Sequence, residues 1–189
     1  MTMRTPSALV VAAALAACGG NGNNVDGSYR GQSIDVSDAV LFPPVVDSQG
    51  SSVSVVVLES ASDACTLLQS QAVNNTSTVS IVLGIQTPDG RIAPPTVAGT
   101  YEIDGPLFRD PGTKLAAVAF NVFGGCGPGT TANAVSGSVH LTHVATAPDG
   151  NPRGIDGSFN ARFDTGETFS GAFHVSLCPS ARLLVGICR

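Results

Sequence analysis

Apolar and polar residues alternate in short segments along most of the chain beyond residue 25. A period of two places every second side chain on one face of a strand, which is typical of a sheet with one buried face. Turn-forming residues separate the segments, most plainly at 87–90 and 147–150, where Pro, Asp and Gly follow one another. The pattern predicts an all-β fold, a single antiparallel β-sandwich or barrel of about eight strands. The predicted strands are 28–36, 53–59, 77–86, 100–104, 115–123, 135–145, 158–163 and 168–177.

The last two predicted strands form the clearest hairpin. Phe159, Ala161 and Phe163 alternate with polar residues, and the next strand places Phe169 and Phe173 on one face. Both apolar faces are expected to meet the same core.

One short helix is predicted at 62–71. Ser62 is a suitable N-terminal cap, Asp63 suits the first turn, and Cys65 and Leu68 fall on one side.

A glycine precedes a large residue by two positions at several predicted strands. The intervals between these motifs are irregular, so they do not form a structural repeat. We interpret the glycines as bulges or strand starts before an inward-facing side chain; a row of ligand-stacking aromatics is the alternative. The motifs begin at Gly27, Gly99, Gly137, Gly157 and Gly171.

The N-terminus predicts export. Arg4 precedes an apolar run over 8–17, which is shorter than the ~20 residues needed to span a bilayer. The sequence Leu15-Ala16-Ala17-Cys18 resembles the lipobox of bacterial lipoproteins, which implies cleavage before Cys18 and its diacylation. A plain signal peptide with a chance cysteine is the alternative. Residue Gly19 is not the aspartate that often retains lipoproteins at the inner membrane, so the resemblance favours the outer membrane.

These features divide the chain into a signal peptide at 1–17, an acylated cysteine and flexible tether at 18–25, and a β domain at 26–189. Loss of Arg4 with the signal changes the net charge from -5 to -6. Lys114 is the single lysine and the arginines are scattered, so nucleic acid is not an expected partner.

Four cysteines follow the lipobox: Cys65, Cys126, Cys178 and Cys188. An even number in an exported chain predicts two disulfides, and three connectivities are open. Pairing Cys178 with Cys188 would fasten the tail to the last strand and leave Cys65 for Cys126. No Cys-x-x-Cys or Cys and His cluster indicates a metal, so no metal site and no cofactor are predicted.

Candidate catalytic groups are sparse, and no catalytic residue is predicted. Asp164-Thr165-Gly166 matches the core of the aspartic protease signature, but its neighbours are charged and no second copy exists, so a turn is expected. His140 and His143 lie three apart on one predicted strand and are expected on opposite faces. Oxygen donors gather between Asp149 and Asp156, yet Arg153 interrupts them as a calcium loop.

The Gly, Ser and aromatic patterns at 26–33, 99–101, 136–142 and 156–178, together with the lipobox, are similar to a group of uncharacterised surface lipoproteins of Gram-negative bacteria. The resemblance implies an anchored β domain and brings no catalytic residues. The expected function is therefore a non-enzymatic binding or structural envelope module, anchored to the membrane through lipid on Cys18, with a protein or glycan partner. A small-ligand carrier of barrel type is the alternative, and a hydrolase is the second alternative.

Overall fold

The computed structural model describes residues 22–70, 75–103, 110–123 and 128–181. Within these ranges the chain forms eleven strands and one helix: β1 (Asn24–Gly27), β2 (Asp38–Leu41), β3 (Val45–Val46), β4 (Ser52–Glu59), α1 (Ala64–Ser70), β5 (Ser77–Gln86), β6 (Ile92–Ala93), β7 (Gly99–Ile103), β8 (Lys114–Phe123), β9 (Pro128–Thr146), β10 (Pro152–Phe163) and β11 (Thr168–Ser176). Within them, no helix combines the length and apolar character needed to cross a membrane.

The strands form one mixed sheet in the order β1-β11-β10-β9-β7-β8-β5-β4-β2, with β3 beside β4 and β6 beside β5. The all-β prediction is confirmed, but the predicted antiparallel sandwich or barrel of about eight strands is not the architecture observed, which is a single mixed sheet of eleven strands. One pair, β7 with β8, is parallel, because both strands lie beside β9 and run opposite to it. Alternation in the sequence predicts which face of a strand is buried. It does not predict whether that face packs against a second sheet or against another part of the same sheet.

The sheet is curled so that its inner face encloses one hydrophobic cluster, called the inner cluster. It includes residues from nearly every strand, among them Leu41 of β2 and Phe173 of β11, and Val25 of β1 packs against it. Because β1 and β2 stand at opposite ends of the strand order, this cluster can form only if the sheet bends around it. A parallel bridge joins Leu41 to Leu177, and the Cys178 N–H donates to the Leu41 carbonyl over 2.8 Å.

Four aromatic rings occupy the centre of the inner cluster. The ring centroids of Tyr29 and Phe163 are 5.3 Å apart, and those of Phe120 and Phe169 are 4.9 Å apart in an edge-on arrangement. Phe163 and Phe169 join the two pairs at 5.4 Å. Such tilted contacts are the favoured geometry for aromatic pairs, so the rings fill the interior with specific packing.

The predicted C-terminal hairpin is confirmed. Phe159, Ala161 and Phe163 of β10 are buried, as are Phe169 and Phe173 of β11. All of them belong to the inner cluster.

The predicted strand at 28–36 is wrong. Tyr29 and Gln32 exchange backbone hydrogen bonds of 2.9 Å across a tight turn in which Arg30 and Gly31 have positive φ. Tyr29 and Ile34 are buried on either side of the turn, with four exposed residues between them, so burial in this segment does not follow the period of two expected of a strand. The strands of this region are β1, before the turn, and β2, after it. β1 begins at Asn24, inside the segment that was predicted to be the tether.

The glycine motifs do precede inward-facing side chains. Tyr29, Tyr101, Val139, Phe159 and Phe173, two residues after the respective glycines, are all buried. A Cβ atom on Gly27 would lie 2.1 Å from the Thr168 carbonyl oxygen, and one on Gly137 would lie 2.1 Å from that of Asn160. The φ angles of these two glycines are 121° and 132°, so both the space and the backbone conformation require glycine.

Candidate functional site

The outer face of the sheet carries a second hydrophobic cluster, called the outer cluster, beneath α1. Val55 and Val57 of β4 point away from the inner cluster and pack with Leu68 of α1. The remaining buried members are Val40, Phe42, Ala64, Cys178 and Ala181. β4 is therefore buried on both faces, which explains its unbroken run of valines.

A disulfide between Cys65 and Cys178 fastens α1 to the end of β11, with the Cα atoms 5.7 Å apart. Neither the Cys178–Cys188 pair nor the Cys65–Cys126 pair considered from the sequence forms. The helix brings Cys65 across the sheet to Cys178, a juxtaposition that sequence spacing could not reveal. Cys126 and Cys188 lie outside the described residues, as does Cys18.

α1 begins where β2 supplies its cap. The Ala64 N–H donates to Asp38 Oδ2 over 2.8 Å, and Asp38 Oδ1 accepts from its neighbour Ala39 over 2.7 Å. The predicted helix is confirmed, with Leu68 buried. The group that accepts its first N–H is the carboxylate of Asp38, not the hydroxyl of Ser62. A cap 26 residues distant leaves no local sequence signal.

Glu59 at the end of β4 is fully buried. Neither of its carboxyl oxygens has a hydrogen-bond partner, and the nearby Thr76 hydroxyl is also unsatisfied. Burial raises the pKa of Glu59, and the Asp38 carboxylate adds to the rise. Asp38 stands directly opposite Glu59 in the β2–β4 ladder, so two acidic side chains share one end of the outer face.

The three histidines lie on the solvent-exposed side of β9 and β11. His140 Nδ1 contacts the Thr100 hydroxyl at 3.3 Å, and His174 Nδ1 contacts Asp156 Oδ1. The expectation that His140 and His143 face opposite sides is wrong, because both are exposed while Leu141 and Val144 pack inward. A bulge in the β9–β10 pairing inserts an extra residue here, and it places His143 opposite Asp156.

Asp156 lies beside two of these histidines, which the sequence pattern did not predict. It is paired in register with both His143 and His174. No group of three or more His, Cys, Asp or Glu side chains in the described ranges is placed to hold a metal ion. The arrangement can hold one imidazole ring in a fixed orientation on an open surface, where His174 keeps 69% of its side chain exposed.

The Asp164-Thr165-Gly166 segment forms the turn between β10 and β11. The Gly166 N–H donates to the Phe163 carbonyl over 3.0 Å, and Asp164 is exposed. The carboxylate that makes contacts in this turn is that of Glu167, whose two oxygens accept the Arg30 N–H at 3.0 and 2.9 Å. These bonds, with a smaller contribution from Thr165, lower the pKa of Glu167 and tie the Tyr29 turn to the last hairpin.

The Asp149 loop likewise satisfies its own polar groups. Asp149 accepts from the backbone N–H of Asn151 over 3.0 Å and from its side-chain amide over 3.1 Å. Those bonds lower the pKa of Asp149. Residues beyond Asn151 enter β10, so the oxygen donors are spread along a strand instead of converging.

Two surface depressions lie near β5. One, of about 520 Å³, is lined by the turn after β5, where Arg91 forms an ion pair with Asp89. This pairing lowers the pKa of Asp89. The other, of about 240 Å³, is a mainly apolar groove on the outer face beside β8. Neither depression is lined by His174 or Asp164.

Comparison of the chain with protein-family models, with curated proteins and with solved structures finds no match in any of the three.

Proposed function

We propose that this chain is a lipid-anchored module of the bacterial outer membrane, non-enzymatic, that binds a protein or glycan partner or has a structural role in the envelope. The observation that carries the proposal is Leu15-Ala16-Ala17-Cys18 after an apolar run of export length. Two or more acyl chains suffice to hold a protein stably at a bilayer, since each buried methylene contributes about 0.8 kcal/mol.

The start of the sheet is consistent with attachment through this cysteine. β1 begins at Asn24, six positions after Cys18. A tether of that length spans at most about 21 Å when fully extended. The side-chain oxygens of Asn23 and Asn24 accept the backbone N–H groups of His174 and Ala172, each over 2.7 Å. The β1–β11 edge would therefore stay close to the membrane, and the opposite surfaces would be left for a partner.

Metabolic labelling with a fatty-acid analogue tests the anchor. We expect the wild-type chain to be labelled and to fractionate with the outer membrane, whereas Cys18→Ala should carry no label and stay unprocessed or be released. Cys126→Ala is the matched control, because it removes a thiol and leaves the lipobox intact. Equal labelling of the Cys18→Ala and wild-type chains would overturn the anchor.

The small-ligand carrier is less well supported. A barrel-type carrier needs a hollow interior, whereas Tyr29, Phe120, Phe163 and Phe169 pack against one another at the centre of the inner cluster. The bridge from Leu41 to Leu177 favours a nearly closed sheet, but closure alone supplies no room for a ligand.

A hydrolase is the second candidate, and the contact between His174 and Asp156 favours it. A carboxylate that orients an imidazole is one half of a nucleophile-activating constellation. Asp156→Asn, which preserves shape and removes the charge, should lower ester hydrolysis at least tenfold if the pair is catalytic. An unchanged rate for Asp156→Asn, measured against background hydrolysis, would exclude this role.

A further inference from the structure

Glu59 is an acidic side chain at a position where the outer face of the sheet is otherwise apolar. Val55 and Val57 precede it on the same face and pack in the outer cluster. Glu59 is 0% exposed, and neither of its carboxyl oxygens accepts a hydrogen bond. Burial of a polar group without a partner is costly, so native proteins rarely keep one that has no ligand to bind. Glu59 therefore offers two oxygens that are free to bind a ligand.

Other oxygen-bearing side chains lie beside Glu59 on the neighbouring strands. Asp38 stands directly opposite it in the β2–β4 ladder, and Thr78 stands opposite it in the β4–β5 ladder. Side chains in such positions have Cβ atoms about 5 Å apart. Thr76 precedes Thr78 by two positions, which places it on the same face, and its hydroxyl is also buried without a partner. These four side chains, Asp38, Glu59, Thr76 and Thr78, are called the oxygen cluster.

The oxygen cluster combines two carboxyl groups without a neighbouring cation. The ion pairs of the described residues lie in the turn after β5 and between β10 and β11, and neither includes Asp38 or Glu59. Burial and the Asp38 carboxylate both raise the pKa of Glu59, which is the response of a carboxyl group that lacks a positive partner. When both groups ionise, their two negative charges match the charge of a divalent cation.

The donor atoms select the kind of cation. All of them are oxygens, which are the ligands of hard ions such as calcium and magnesium. Asp38 accepts one N–H at each oxygen, from Ala39 and Ala64, and each oxygen retains a second lone pair. Calcium accepts a bidentate carboxylate and exchanges water for protein oxygens, whereas magnesium dehydrates reluctantly. The complete burial of Glu59 therefore favours calcium, and the half-buried Asp38 leaves one side open to water.

We propose that the oxygen cluster binds one calcium ion, with the carboxylates of Glu59 and Asp38 as charged ligands and the Thr76 hydroxyl as a neutral ligand. The ion would join β2 and β4 to the start of β5, at the end of the sheet where Asp38 also accepts the first N–H of α1. Calcium competes with the proton for Glu59, so its affinity should increase with pH.

Calorimetric titration of the full chain with calcium chloride, in non-ionic detergent at pH 7 after removal of metal ions, tests this site. We expect saturable binding of one ion per chain. Glu59→Gln keeps the shape of the side chain and should weaken binding about tenfold or more, because the affinity of oxygen sites depends on their charged ligands. Glu102→Gln is the matched control, since it removes an exposed carboxylate of β7, and it should leave the affinity unchanged.

Circular dichroism should show that each variant is folded. If Glu59→Gln does not fold, Asp38→Asn replaces it in the same comparison, because it removes the other charge and keeps an oxygen for the helix N–H. No saturable binding to the wild type would overturn the proposal, as would equal affinities of the wild type and the folded variant, which would place the ion elsewhere. Titration with magnesium chloride should show weaker binding, and equal affinity for the two metals would overturn the assignment to calcium.

Discussion

At the scale of single residues, the last hairpin contains two side chains with opposite surroundings. Phe173 is 2% exposed, and a Cβ atom on Gly157 of the neighbouring strand would lie 2.9 Å from its ring. Asp164 is exposed in the turn, and its neighbour Glu167 makes the contacts that fasten the turn. The two residues should therefore respond very differently to substitution.

We expect Phe173→Ala to lower the free energy of unfolding by about 3 to 5 kcal/mol, because it removes a ring from a packed interior and leaves a cavity. Asp164→Asn should change the free energy of unfolding by no more than about 0.5 kcal/mol, as is usual for an exposed turn. Denaturant unfolding of both variants measures the difference. A silent Phe173→Ala would mean that the inward face assigned to β11 is wrong.

Glu59 offers a second prediction, because burial raises its pKa in the folded protein. Between the ordinary carboxyl pKa and the raised one, the folded protein binds more protons than the unfolded chain, so the free energy of unfolding falls as pH rises. The stability associated with protonated Glu59 is fully present below its ordinary pKa of 4.5 and is lost as pH rises through the folded value.

Glu59→Gln keeps the shape of the side chain and cannot ionise. We expect the free energy of unfolding of this variant to fall less steeply with pH above 4.5 than that of the wild type. Denaturant titrations across a pH series measure the two slopes, with the exposed Glu102→Gln as control. Parallel curves for Glu59→Gln and the wild type would contradict a raised pKa.

At the scale of elements, α1 is held to the rest of the domain through its first two residues, Ala64 and Cys65. The Asp38 carboxylate accepts a hydrogen bond from the first N–H of the helix, and the Cys65–Cys178 disulfide joins the first turn to the segment after β11. The outer cluster between helix and sheet is small, so the covalent link should supply much of the stability of this layer.

We expect the double substitution Cys65→Ala with Cys178→Ala to lower the free energy of unfolding by about 2 to 5 kcal/mol, because the disulfide closes a long loop in the unfolded chain. The sequence separation of 113 residues places the expected loss toward the upper end of that range. Chemical denaturation with and without reductant measures this loss. Reductant should destabilise the wild type more than the double variant, because the variant has no Cys65–Cys178 bond to reduce.

Non-reducing peptide mapping provides the accompanying control. With Cys65 joined to Cys178, the expected second bond of the exported domain joins Cys126 to Cys188. Extensive alkylation of the native protein without reductant would show that the second bond does not form.

At the scale of the whole molecule, the two ends of the strand order meet around an interior of aromatic rings. The edge that receives the N-terminal tether is β1, and the outer cluster lies on the outer face of β2 and β4, beneath α1. Because the ends meet at the bridge between Leu41 and Leu177, the edge that follows the predicted anchor and the outer cluster lie on neighbouring parts of the molecule.

The packing of aromatic rings inside the sheet predicts that the protein does not act as a carrier of a small ligand. We expect no saturable binding of a fluorescent fatty acid, because a ligand would have to displace packed rings such as Phe120 and Phe163. Fluorescence titration of the detergent-free mature domain measures this, with a known lipid carrier as the positive control. Saturable binding at one site per chain would contradict it.

Some features depended only on the local order of residues, and these were predictable from the sequence. The alternation around Phe159 and Phe173 predicted the inner face of the hairpin, and Leu68 predicted the buried side of α1. The lipobox at Cys18 is a local signal of the same kind, since the export machinery reads a continuous segment, and it stays a prediction. A period of two or a contiguous motif carries its information within a few residues, so no distant contact is needed to interpret it.

Other features depended on contacts between distant segments, and only the tertiary structure decided them. The cap on Ala64 comes from Asp38, the partner of Cys65 is Cys178, and His143 reaches the exposed face through a bulge. The tertiary structure also decided between one curled sheet and two packed sheets, because both architectures bury the same alternating residues. Strand order and closure are determined by which segments meet across the core, and that information lies in the pairing of strands, not in the pattern of any one strand.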